Sequence, residues 1–196
     1  MPGLFYSEKN RMSIPGRLPI VLIGFMASGK STVGRLLAGR LGLPFVDLDA
    51  RIVERSGRSI PDLFRETGET GFRQLEADAL ADVLARDGCC VVAGGGGLIL
   101  RHANRRLLRA SAVTVFLDVS FAEIRRRLQH DNAGRPLADA SSPERLGELF
   151  EDRRSLYLES ADLRVTGDGS PDDIVKEIIS KATDIASRLE KSVRKS

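Results

Sequence analysis

The sequence has no tryptophan, and aromatic residues make up only 5% of it. That excludes a platform of stacked rings for single-stranded nucleic acid. Cysteine occurs only as the adjacent pair Cys89 and Cys90. Neighbours on a strand point to opposite faces, so the two do not bridge each other, and the spacing is not that of a metal site. They read as small apolar residues of a core strand in a chain expected in the reducing cytoplasm. No stretch approaches the ~18 consecutive apolar residues of a membrane span, so no membrane partner is expected. The N-terminal segment lacks the continuous apolar run of a secretion signal. Net charge is small too, at +3 over 196 residues. The excess sits at the ends, in Lys9, Arg11 and Arg17 and again in Lys181, Arg188, Lys191, Arg194 and Lys195. A nucleic-acid binder carries its basic patch on the folded surface, so no nucleic-acid partner is expected.

What is present is a repeating order of apolar runs and amphipathic stretches. A hydrophobic content of 42% fills the core of one domain. Residues 1–18 read as an extension and 181–196 as a basic tail that continues a helix, leaving a single domain over 19–180. "PIVLIGF" and "CCVVAG" are uniformly apolar, the pattern of strands covered on both faces. With "PFVDLD", "AVTVFLDV" and "DLRVT" they make five strands. Helical spacing is expected after the first strand, over 50–57, over most of 60–88, and in "SFAEIRRRLQ". Ser142 and Pro143 start another helix as cap and first residue, and "SPDDIVKEII" starts the last. Strands alternating with helices predict an α/β fold with a parallel sheet.

The first strand runs into "GFMASGKST", where Gly24 and Gly29 bracket four residues and Lys30 and Ser31 follow. This is the phosphate-binding P-loop pattern, and it stands in the strand-to-helix context that gives the pattern meaning. Backbone N–H groups of Ala27, Ser28, Gly29, Lys30, Ser31 and Thr32 are expected to cradle nucleotide phosphates, as a helix N-terminus favours an anion. Lys30 would reach the β- and γ-phosphates and Ser31 would hold Mg²⁺. Neither a guanine-recognition motif nor a transporter signature is present, and the short chain favours a small kinase. Asp47 and Asp49 lie at the end of the second strand, where ligands bind in such sheets. One suits hydrated Mg²⁺ and the other a substrate hydroxyl, although Asp49 could also simply cap the next helix.

The motifs "GFMASGKST", "DLD", "GFRQLE", "GGG", "GRPL" and "RRSLY" occur in the order and spacing of one family, and the chain resembles shikimate kinase from about Ile20 to Ile178. The resemblance implies a three-layer α/β/α P-loop kinase of the nucleoside-monophosphate kinase type with a five-stranded parallel sheet. It implies a monomer that transfers the γ-phosphoryl of ATP, with one Mg²⁺, to the 3-hydroxyl of shikimate, in chorismate and aromatic amino-acid synthesis. It places shikimate's carboxylate on Arg73 and Arg153, with Glu76 orienting Arg73, and shikimate's hydroxyls on Asp49, the probable base. Gly94, Gly95 and Gly96 would let shikimate approach the backbone, with Gly95 touching it, and Asp47 would stand near Mg²⁺. The polar segment of about 129–141 would close as a lid whose Arg135 reaches the ATP phosphates, and Arg127 would stack on adenine. His102 and His130 are expected at the surface. Other small kinases acting on gluconate or a nucleoside monophosphate, and a kinase-like module without activity, are the competing readings.

Overall fold

The computed structural model describes residues 18–86, 88–129 and 142–193, with side chains as far as Ala182. Residues 1–17, Arg135 and the remainder of the expected lid beyond Gln129 lie outside the described residues.

Five strands, β1 (Ile20–Ile23), β2 (Phe45–Asp47), β3 (Val91–Ala93), β4 (Val113–Asp118) and β5 (Leu163–Thr166), form one parallel sheet of order β2-β3-β1-β4-β5. The helices are α1 (Lys30–Leu41), α2 (Leu48–Ser56), α3 (Ile60–Arg86), α4 (His102–Ser111), α5 (Phe121–Gln129), α6 (Pro143–Ser160) and α7 (Pro171–Val193). Every residue of β1 is at most 2% exposed, because the strand is central and both its faces are covered. Ile20 and Leu22 face α1 and α7 in one core, with Val91, Val115 and Val165. Val21 and Ile23 face the other way, with Val92 and Phe116, into a second core built on α2 to α6. The result is the expected three-layer α/β/α arrangement. Fully burying an aliphatic side chain is worth about 2 kcal/mol, so these two cores pin β1 from both sides. The loop that leaves β1 is thereby held at the carboxyl edge of the sheet, next to the ends of β3 and β4. Among the described residues no helix is long and apolar enough to cross a membrane.

Three details differ from the sequence expectation. The sequence reading assigns no element to 102–111, although Ala103, Leu107 and Ala110 recur at helical spacing. The structure forms α4 there, because Leu108 and Asn104 are buried against the adjoining turn and the Asn104 side chain donates to the Leu98 carbonyl. Helix α2 starts at Leu48, because Asp47 rather than Asp49 is its cap. The Asp47 carboxylate accepts from the N–H groups of Asp49 (3.1 Å) and Ala50 (3.3 Å). Helix α3 is interrupted at Gly68, whose φ of 67° and ψ of 180° only glycine adopts readily. Its second segment therefore begins at Glu69.

Candidate active site

The P-loop leaves β1 through Gly24, and α1 starts after Gly29. A side chain at Gly24 would place its Cβ 2.9 Å from the Leu117 carbonyl oxygen, so the loop packs backbone to backbone against the end of β4. Ala27 holds a φ of 57°, a left-handed geometry that costs an L-residue about 1 kcal/mol. Its methyl group is small enough for the position, but strain remains in a loop whose amides must converge. The Lys30 ammonium donates to the carbonyls of Gly24 (2.9 Å) and Phe25 (2.7 Å) and to Ser28 Oγ (3.2 Å). It lies folded across the loop, over the concavity that its own backbone forms. Ser31 donates to Asp47 Oδ2 at 2.5 Å, which ties the first turn of α1 to the end of β2. One carboxylate thus caps α2 with Oδ1 and holds the P-loop serine with Oδ2.

Across the crevice lies a buried charged group. Arg73, Glu76 and Arg153 are 8%, 1% and 3% exposed. Arg73 Nη1 donates to Glu76, and Nη2 pairs with Glu69 Oε1 at 2.9 Å. Arg153, on α6, points its Nη1 at the Gly96 carbonyl at 3.5 Å, and Tyr157 donates its hydroxyl to the same oxygen. The neighbouring Arg154 is turned elsewhere and clasps Asp118 with Nε (3.2 Å) and Nη2 (2.8 Å). Of two adjacent arginines, Arg153 alone faces the crevice.

Burial pushes the Glu76 carboxyl above its ordinary range, and Asp49 adds to this; the attraction of Arg73 only partly offsets it. Burial works against the charge on Arg73 too, but Glu76 and Glu69 together raise its pKa. Arg153 is lowered by burial, with Tyr157 opposing the shift and the nearby charge of Arg73 adding to it. The Tyr157 hydroxyl is pushed up by burial, so it stays a neutral donor. Four buried side-chain polar atoms among the described residues have no partner, and three of them are Arg73 Nε, Glu76 Oε1 and Arg153 Nε. Native interiors leave few such atoms, so their concentration in one place marks a group built for something besides itself.

The four glycines after β3 are explained by space rather than by backbone freedom. None of Gly94 to Gly97 has positive φ. A Cβ on Gly95 would lie 2.1 Å from Glu76 Oε1 and 3.1 Å from Asp49 Oδ1. One on Gly97 would lie 2.1 Å from the Arg73 guanidinium carbon. One on Gly94 would meet Leu98 at 2.8 Å, and one on Gly96 the Met26 amide nitrogen at 3.3 Å. Side chains would therefore push the arginine–glutamate pair off the loop.

P-loop residues Ala27 to Thr32, with Asp47, Asp49, Arg73, Glu76, Gly94, Gly96, Arg127 and Arg153, line a single cleft of about 1040 Å³. Gly95 is buried beside Glu76 and Asp49, between the lining residues Gly94 and Gly96. Arg127 bridges two loops, donating to the Ala27 carbonyl (3.3 Å) and the Gly167 carbonyl (2.9 Å). Its Nε is held by Glu123 at 2.7 Å, and Arg126 and Arg127 hold the Glu123 carboxyl down at about 2. Asp168 to Pro171, just beyond β5, close the same end of the cleft. The sequence reading missed them, though a turn at the carboxyl end of a parallel strand is where such a sheet binds ligands. Glu69 was missed as part of the arginine group. It lies four residues before Arg73 on a helix, and that spacing is the signal that could have found it. His102 is exposed at the start of α4, and His130 lies outside the described residues.

A glycine loop between a buried strand and a helix, its lysine, its serine tied to a carboxylate on a nearby strand, and a second polar pocket opposite define a P-loop kinase fold with an acceptor site. Comparison with known proteins narrows the class. The family model for shikimate kinase matches residues 26–183, and the chain belongs to the shikimate kinase family. A shikimate kinase from Geobacter metallireducens is 44% identical over 160 residues, covering 81% of this chain and 88% of the relative. The structure of a shikimate kinase from Acinetobacter baumannii in complex with shikimate superposes with a TM-score of 0.74 at 32% identity, covering 91% of this chain and 93% of that one. A gluconokinase from Sinorhizobium meliloti, at 19% identity and a TM-score of 0.56 over 90% of this chain and 97% of its own, shares the fold alone.

Proposed function

We propose that this chain transfers the γ-phosphoryl group of ATP to the 3-hydroxyl of shikimate, giving shikimate 3-phosphate and ADP. The observation that carries the acceptor is the buried arginine pair. Arg73 and Arg153 converge on one glycine loop, and each keeps a buried Nε without a partner. Planar guanidinium groups in this state suit a small rigid carboxylate, which a nucleoside monophosphate or a plain sugar does not offer.

In the reaction an oxygen–phosphorus bond forms at the acceptor hydroxyl as the bond between the γ-phosphorus and its bridging oxygen breaks. ADP leaves with that electron pair. Asp49 stands beside the glycine loop, on the wall between the P-loop and the arginines, and takes the proton of the attacking hydroxyl. The P-loop amides of Ala27 to Thr32 and the Lys30 ammonium hold the phosphates and offset charge on the transferring group. On phosphate arrival Lys30 exchanges its three loop acceptors for phosphate oxygens. Arg127, fixed between the loops after β1 and β5, borders the nucleotide end, and Arg135 is assigned to the phosphates on the family pattern. Gly94, Gly95 and Gly96 let the ring approach the backbone, with Gly95 touching it, and the missing side chain at Gly95 also makes room for Glu76 and Asp49.

The Ser31 hydroxyl and the Asp47 carboxylate are adjacent hard oxygen donors, and this fits Mg²⁺, which takes one or two protein ligands and fills its shell with water and phosphate. When bound there, the ion would neutralise charge on the β- and γ-phosphates.

The direct test is ADP release from MgATP by purified protein with and without shikimate. A large shikimate-dependent rate is expected. A rate indifferent to shikimate would sink this acceptor and leave a nucleotide-binding protein of other purpose. Gly97→Ala tests the packing of the arginine: its methyl group displaces Arg73, so the shikimate KM rises about tenfold or more while the ATP KM stays within about twofold, since ångström-scale misplacement alone costs that much. An unchanged shikimate KM in a folded variant would show that the guanidinium position does not matter.

A further inference from the structure

The two carboxylates on Arg73 are of unequal standing. The Glu76 side chain is 1% exposed and belongs to the interior, whereas that of Glu69 is 51% exposed. Glu69 reaches Nη2, and the Nε on the same edge of the guanidinium has no partner. An arginine takes a carboxylate side-on along this Nε–Nη2 edge, with two parallel bonds. Glu69 uses half of it. Arg153 makes no ion pair with a carboxylate among the described residues, yet the charge of Glu69 acts on it from across the pocket.

We propose that Glu69 is a place-holder for the substrate's carboxylate. It occupies the donor of Arg73 that the incoming acid takes, and it is displaced into solvent when the acid binds. This inference rests on the reading of the arginine pair as the shikimate carboxylate site. The local sequence sets it up. The break at Gly68 makes Glu69 the first residue of the second segment of α3, four residues from Arg73 and at the edge of the protein. A half-exposed pair of this kind is weak and easily given up. The interior pair with Glu76 is not, so Glu76 keeps Arg73 in position while Glu69 leaves. A ligand without a carboxylate cannot make this exchange and gains nothing from Arg73. Glu69 thus weakens the binding of a carboxylate ligand, which must displace it, and leaves the binding of a neutral one unchanged.

The test is Glu69→Gln in the full chain, with shikimate and its uncharged methyl ester compared at saturating MgATP. Relative to the original chain, the shikimate KM is expected to fall about threefold, the worth of an exposed ion pair removed as a competitor. Inhibition by the methyl ester is expected to be the same in both proteins. A shikimate KM that stays put or rises would overturn the proposal, the rise meaning that Glu69 holds Arg73 in place for the substrate. An equal gain for acid and ester would overturn it as well. Should Glu69→Gln fold poorly, Glu69→Ser removes the same carboxylate at a helix start that tolerates serine, and the same readouts decide. Failure of the original chain to turn over shikimate at all sinks the acceptor assignment instead, so the two ideas fail separately.

Discussion

Lys30→Ala is expected to lower turnover by about a thousandfold, the scale on which removal of one preorganised charge stabiliser acts. Among the described residues it is the only lysine lining the cleft, and its ammonium makes three bonds to its own loop. Losing those bonds does little to the fold. The loop's course is set by Gly24 against β4, by the dihedral angles of Ala27 and Gly29, and by the burial of Ser28. The phosphates lose the charge that follows them into the transition state, so the loss falls on kcat more than on the ATP KM. Lys30→Arg is expected to rescue little, because a flat fork does not fit a concavity shaped around a compact ammonium. The measurement is kcat from shikimate-dependent ADP formation, with circular dichroism to show the fold intact. A loss smaller than about tenfold would remove Lys30 from the chemistry.

The second large effect is on the acceptor. Arg73→Ala is expected to raise the shikimate KM about a hundredfold and to leave the ATP KM within about twofold, since a charge-assisted bond to a carboxylate is worth about 1.5–3 kcal/mol. It also leaves Glu76 buried without its cation, a change that typically costs about 3 kcal/mol of stability. Glu76 softens this by binding a proton. Burial already raises its pKa with Arg73 present, and without Arg73 the pKa rises further. A carboxyl raised in the folded state contributes stability that is fully present below its unfolded pKa and is lost as pH rises through the folded one. The deficit of Arg73→Ala against the original chain is therefore smallest near pH 5 and grows towards pH 8. Adding Glu76→Gln should remove this pH dependence without restoring shikimate binding. Denaturant melts of the two variants across pH, beside shikimate KM values, check both halves. A deficit that is flat with pH would mean that Glu76 is not the group responding.

The sheet and the P-loop were legible because they rest on local signals, uniform apolar runs and a glycine spacing that few other structures need. The two-sided burial of Ile20–Ile23 follows from the sequence directly. Helix α4 was overlooked although Ala103, Leu107 and Ala110 recur at helical spacing; what the sequence does not show is that Leu108 and Asn104 meet a turn that tertiary packing brings to them. The cap of α2 went to Asp47 because the register of the strand end, not the residue type, chooses between two aspartates. The glycines were recognised as necessary, but the identity of the obstacle was not. Which atoms crowd Gly95 and Gly97 depends on Arg73 and Glu76 folding in from a different helix. Arg153 and Arg154 are equivalent in composition, and the resemblance chose Arg153 by its spacing to Tyr157; what the sequence did not show is Asp118, which holds Arg154 away from the crevice.

Asp47 has a consequence for how variation at this position is to be interpreted. One oxygen of its carboxylate starts a helix and the other accepts from the P-loop serine, so under the function proposed above folding and nucleotide handling would act through the same side chain. A library screened only for soluble, folded protein would accept asparagine, serine and threonine there, because each can begin a helix. A library screened for growth that requires the chain to form its own product is expected to discard them. Tolerance at position 47 therefore depends on the question put to it, and the difference between the two screens, rather than invariance in either, isolates the functional half of the residue.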